Sequence, residues 1–158
     1  MAAELLKSVK KGMHVPVDDL RFWVRAGLSD AVPWTEETER QFRVAELAAM
    51  RVAQTYADAG FEVVVDHCRR PATWDETLSK FPDLPARKVL LLPDMEVNLA
   101  RNATRTDKTF DPAVLEDTIR FTNDAYREGT PSDWLVVDNT HLDPRETADR
   151  LISRFAGR

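Results

Sequence analysis

Residues 61–68 read FEVVVDHC, three consecutive valines that follow a glycine and run into an aspartate. β-Branched residues favour extended backbone, and an apolar run without polar alternation is the pattern of a strand covered on both faces. The same pattern recurs in MHVPVDD at 13–19, KVLLLPD at 88–94 and WLVVDN at 134–139, each apolar run again ending on an aspartate. Helix-like stretches lie between them. Strand and helix in alternation predict a mostly parallel sheet with right-handed crossovers, stacked as a three-layer α/β/α domain. The carboxyl edge of that sheet would carry Asp18, Asp66, Asp94 and Asp138, the edge at which open α/β sheets bind ligands.

Working outward, the spacing predicts a helix over 2–11 with Leu5, Leu6 and Val9 on one face and Gly12 closing it. No Ser, Thr, Asp or Asn precedes it as a cap. A short helix is expected after Asp18 and Asp19, through Leu20 and Trp23 towards Gly27. Thr35 opens a long helix with Glu36 and Glu37 in its first turn, Phe42, Ala45, Ala49, Val52, Ala53 and Tyr56 on its buried face, and Gly60 at its end. Thr73 with Glu76 has capping-box spacing for a short helix. Asp94 is placed to cap a helix carrying Val97, Leu99 and Arg101. Asp111 with Pro112 begins another that runs to Gly129, and Asp143, Pro144 and Glu146 begin the last.

The 158 residues are about the modal size for a domain, and 43% are hydrophobic, so one compact domain over 1–158 with a real core is expected. A net charge of −5 disfavours a general nucleic-acid coat. Cys68 is the only cysteine, which excludes an internal disulfide and a Cys-rich zinc module. No apolar stretch approaches the roughly 20 residues of a membrane span, and no secretory signal is visible, so the expected location is the cytoplasm. Five singly scattered glycines spell neither G-x-x-x-x-G-K-[ST] nor G-x-G-x-x-G.

VPVDDLR at 15–21, VVVDHC at 63–68, RNATR at 101–105 and the final strand followed by DNT at 138–140 together resemble the P-loop kinase superfamily. The likeness is to the small-molecule kinases grouped with shikimate kinase, gluconate kinase and chloramphenicol phosphotransferase, and it spans nearly the whole chain. Such kinases place a strand, a phosphate loop and the start of a helix ahead of the position of Ala2. The resemblance therefore implies a chain lacking that first strand and the Walker A loop, Met1 being an artificial or mis-assigned start or the mark of a deletion. The absent strand would be central, leaving a gap or re-paired strands and marginal stability.

The resemblance further implies an ATP-dependent transfer of the γ-phosphoryl group to a hydroxyl of a small-molecule acceptor, impaired as written. ATP and Mg2+ are the implied cofactors. Asp18, with Asp19 as its competitor, matches the acid that orients or deprotonates the acceptor hydroxyl. Asp66 matches the Walker B acid that holds magnesium. Arg101 and Arg105, four apart on one helix face, match lid arginines within a lid over 101–112, Arg105 also acting in catalysis, with Arg69, Arg70 and Lys108 adding to a basic rim. Asn139 and Thr140 match the loop that lines the adenine pocket. Partners are confined to the small-molecule acceptor, with no nucleic acid and no membrane, and an unfilled sheet could recruit a strand from a partner chain.

Competing uses of the same residues are ordinary ones. Asp18 or Asp19 can cap the following helix, Arg101 and Arg105 can pair with Asp94, Glu96 or Asp107, and Asn139 and Thr140 are common turn formers. Phe22, Trp23 and Trp34 are expected to pack in the core. His67 beside Cys68 suggests zinc, but neighbours on a strand point to opposite faces and no second soft pair exists, which argues against it. His14 and His141 have no evident partner. The alternative function is a non-catalytic nucleotide- or anion-binding or protein-interaction domain; a hydrolase using Asp66 and Asp138 lacks a nucleophile arrangement.

Overall fold

A computed structural model of the protein describes residues 1–104 and 111–156. These contain seven α-helices and four short strands in mixed α/β order. They fall into two compact units, one made of residues 1–68, 77–84 and 143–158 and the other of 69–76 and 85–142. The strands pair as two separate two-stranded parallel sheets instead of one continuous sheet.

In the first unit, α1 (Ala2–Leu6) leads to β1 (Gly12–Pro16), which pairs in parallel with β2 (Glu62–Asp66), Pro16 lying opposite Asp66. The first helix is shorter than its apolar spacing suggested, and Gly12 does not close it in a left-handed conformation. A Cβ on Gly12 would lie 2.8 Å from Leu6 Cδ2 and 3.1 Å from Val9 Cγ2, so the glycine gives the Leu6 and Val9 side chains room beside β1. Pro16 offers no amide to continue the ladder, and helix α2 (Val17–Phe22) begins at once. Asp18 and Asp19 thus occupy the first turn of α2, where the helix dipole favours carboxylates.

Helix α3 (Glu36–Asp58) has the start and end expected of it. Thr35 Oγ1 accepts the Thr38 amide at 3.0 Å, and Thr38 Oγ1 accepts the Thr35 amide at 3.3 Å. Gly60, at φ +80°, turns the chain into β2. Removing the cap with Thr35→Ala should cost about 1 kcal/mol of stability, read from the urea midpoint. The buried stripe of α3 is Phe42, Ala45, Ala49, Met50 and Ala53, and it includes one carboxylate, Glu46. Val63, Val64 and Val65 of β2 are only partly buried, and β2 has a single strand neighbour among the described residues. Helix α7 (Pro144–Ala156) closes the unit against α1 and buries Leu151 and Ala148. Its capping box is complete: Asp143 Oδ1 accepts the Arg145 and Glu146 amides, and Glu146 Oε2 accepts the Asp143 amide, all at 2.8 Å.

The second unit pairs β3 (Val89–Leu91) with β4 (Leu135–Val137) in parallel. Helix α4 (Pro71–Leu78) begins at Pro71, so Thr73 lies inside it and does not cap it. Helix α5 (Met95–Ala103) follows Asp94, whose side chain makes no capping bond; Arg127 approaches it at 3.6 Å instead. Asp111 caps a 3-10 turn at Pro112–Leu115 that continues as α6 (Glu116–Gly129), its carboxylate accepting the Ala113 amide at 2.9 Å. Lys88 bridges Asp75, at 2.8 Å, and Asp133 beside the Trp134 ring.

Candidate functional site

Chemistry gathers at the carboxyl end of the β1–β2 pair. There the chain leaves β2 at Asp66, and His67 turns inward between two carboxylates: Nδ1 lies 3.5 Å from Asp18 Oδ1, and Nε2 lies 3.5 Å from Glu46 Oε1. The side chains of His67 and Glu46 are fully buried, whereas that of Asp18 is 37% exposed. Glu46 is further held by the Thr77 hydroxyl at 3.3 Å and faces Arg43 Nη1 at 4.0 Å. Phe42 stacks on His67 with centroids 5.4 Å apart, and Trp34 also stacks on Phe42, at 5.0 Å.

Arg21 completes the cluster. Its guanidinium lies 4.2 Å from the Phe42 ring centroid, and its Nη2 donates to the Ser29 carbonyl. Burial lowers its pKa, opposed by the charges of Asp18, Asp30 and Cys68. Burial also disfavours a charged His67, but Asp18, Cys68 and Glu46 outweigh it and raise the imidazole pKa to about 10. At neutral pH His67 is therefore an imidazolium between two acids. A folded pKa above the unfolded value of about 6.5 stabilises the fold fully below that value and loses the effect as pH rises through the folded pKa. Urea midpoints of the metal-free protein should accordingly fall between pH 7 and pH 10, and His67→Gln should flatten that fall.

The expected site residues are distributed as follows. Asp18 sits in the cluster, while Asp19 is exposed. Asp66 lies at the same sheet end, but its Oδ1 is held by His14 Nε2 at 2.7 Å, giving His14 a partner that its sequence context did not show. Arg101 does meet Asn139 and Thr140 in the second unit. Its Nη2 donates to the carbonyls of Asn139, Thr140 and Leu142 at 3.0, 3.3 and 3.1 Å. Thr140 donates to Asp138 at 2.6 Å and accepts the Asp94 amide at 2.8 Å. Arg105 and Lys108, with most of the expected lid, lie outside the described residues.

Two expectations are corrected. Phe22, Trp23 and Trp34, at the end of α2 and in the loop beyond it, are exposed and do not pack in the core, Trp23 being exposed by 70%. His67 and Cys68 do not diverge as strand neighbours would, because β2 ends at Asp66; donor atoms of Asp18, His67 and Cys68 all lie within 4.8 Å of one another.

Glu46 and Arg21 were not anticipated. The signal for Glu46 is a carboxylate four residues after Phe42, on the face that also carries Ala49 and Ala53. Magnesium does not fit the described residues on their own. It prefers several oxygens and near-octahedral geometry, and Asp66 offers one carboxylate already engaged by His14. No family model and no curated protein matches the chain.

Proposed function

We propose that the chain is an ATP-dependent kinase domain that transfers the γ-phosphoryl group to a hydroxyl of a small molecule, with Asp18 as the base for the acceptor hydroxyl. One observation carries this: Asp18 is a half-exposed carboxylate at the carboxyl end of a parallel strand pair, fixed from behind by a buried histidine. In the reaction Asp18 takes the hydroxyl proton, the freed oxygen attacks the γ-phosphorus, and ADP leaves. The exposed rings of Phe22, Trp23 and Trp34 give the acceptor an apolar wall. The same resemblance assigns Arg101, Arg105, Asn139 and Thr140 to the nucleotide.

Absence of a phosphate-loop motif within the 158 residues favours a second reading, a domain that binds an anion or a protein without catalysis. ATP consumption measured over a panel of hydroxylated small molecules separates the two. Turnover that requires ATP and one acceptor supports the kinase. Nucleotide binding without turnover supports the second reading, and neither binding nor turnover leaves both without support.

A further inference from the structure

We propose that Asp18, His67 and Cys68 form a binding site for a borderline-soft divalent cation, zinc foremost, with Glu46 as the outer carboxylate that orients the histidine. The site goes beyond the phosphotransfer proposal and stands without it.

Asp18 Oδ1 and His67 Nδ1 are 3.5 Å apart, and the donor atoms of Asp18, His67 and Cys68 all lie within 4.8 Å of one another. Two ligands each about 2.0–2.2 Å from a tetrahedral zinc are about 3.3–3.6 Å apart, so the O–N pair already has chelating separation. Oxygen, imidazole nitrogen and thiolate together form a zinc-type donor set and a poor one for magnesium. Three protein ligands leave a fourth position, and the exposure of Cys68 opens it to solvent.

The surroundings carry the inference further than the donor count. A zinc-bound histidine commonly donates its second ring N–H to a carboxylate, which fixes the tautomer and the ring plane. Here Nε2 faces Glu46 Oε1 at 3.5 Å, and Glu46 is fully buried and anchored by Thr77. Phe42 stacks against the ring and holds its plane. The Arg21 guanidinium, which interacts with both Asp18 and Cys68, offsets the negative charge that a carboxylate and a thiolate bring. Ion binding would occupy Asp18 and so compete with its use as a base.

The test is a cobalt(II) titration of the full chain after dialysis against chelator, followed by zinc displacement. One cobalt per chain is expected, with the visible bands of a tetrahedral site and a thiolate-to-cobalt charge-transfer band, displaced by one equivalent of zinc and resisting a thousandfold excess of magnesium. Cys68→Ser, at an exposed position, should abolish the charge-transfer band and leave the circular dichroism unchanged. Glu46→Gln should keep the band and weaken binding about 10–100-fold. The proposal is overturned if no cobalt binds at micromolar concentration, if the band survives Cys68→Ser, if magnesium displaces the ion, or if folded Glu46→Gln binds as tightly as the wild type.

Discussion

Replacing Glu46 with alanine should destabilise the protein by about 3–5 kcal/mol, the cost of removing one member of a buried charged pair. The carboxylate has no solvent exposure, and its neighbours include His67 Nε2 at 3.5 Å, the Thr77 hydroxyl at 3.3 Å and Arg43 at 4.0 Å. Alanine would leave an imidazolium with Asp18 as its remaining carboxylate at the ring, a buried hydroxyl without this acceptor, and a cavity in the stripe between Phe42 and Ala49. The expected loss is several times that of Thr35→Ala at the end of the same helix. Urea unfolding followed by circular dichroism measures both. Because the penalty comes from stranding a partner, replacing Glu46 and His67 together with apolar residues should cost less than the sum of the single replacements. Additive losses would mean that the two side chains are not coupled.

What the sequence made legible, and what it hid, divides along local and non-local physics. Some caps and breakers are legible because their chemistry is contained in a few residues, whereas Gly12, Thr73 and Asp94 do not play the roles their spacing suggests. Thr35 starts α3, Gly60 ends it at φ +80°, and Asp143 with Glu146 closes a capping box on α7. The parallel direction of the strand pairs was legible from strand–helix alternation. Sheet continuity was not, because an apolar run such as Val63 to Val65 records a preference for cover without stating whether one or two strands supply it.

The candidate site follows the same division. Asp18 was visible as an acid after a strand. Its partner His67 was hidden because strand alternation was carried one residue past Asp66, where the strand has already ended. Glu46 lies 21 residues before His67, and only the packing of α3 on β2 brings the two together. Arg101 and the 139–140 loop carry no local signal of their contact, which is made by the arginine donating to the loop carbonyls across about 40 residues of sequence.

Asp18→Asn should lower phosphoryl transfer about 10²–10⁴-fold, the range associated with losing a positioned general base. Asparagine keeps the shape and the contact to His67 but cannot take the hydroxyl proton. Asp19, one residue on in the same turn of α2 and exposed, is the matched control. The most direct measurement is acceptor-dependent ATP turnover of the wild type, Asp18→Asn and Asp19→Asn, in the reading frame that includes any residues ahead of Met1. A loss of at least a hundredfold at Asp18, with Asp19→Asn within about threefold of the wild type, is the predicted result. Wild-type turnover in Asp18→Asn, or an equal loss at Asp19, would contradict it.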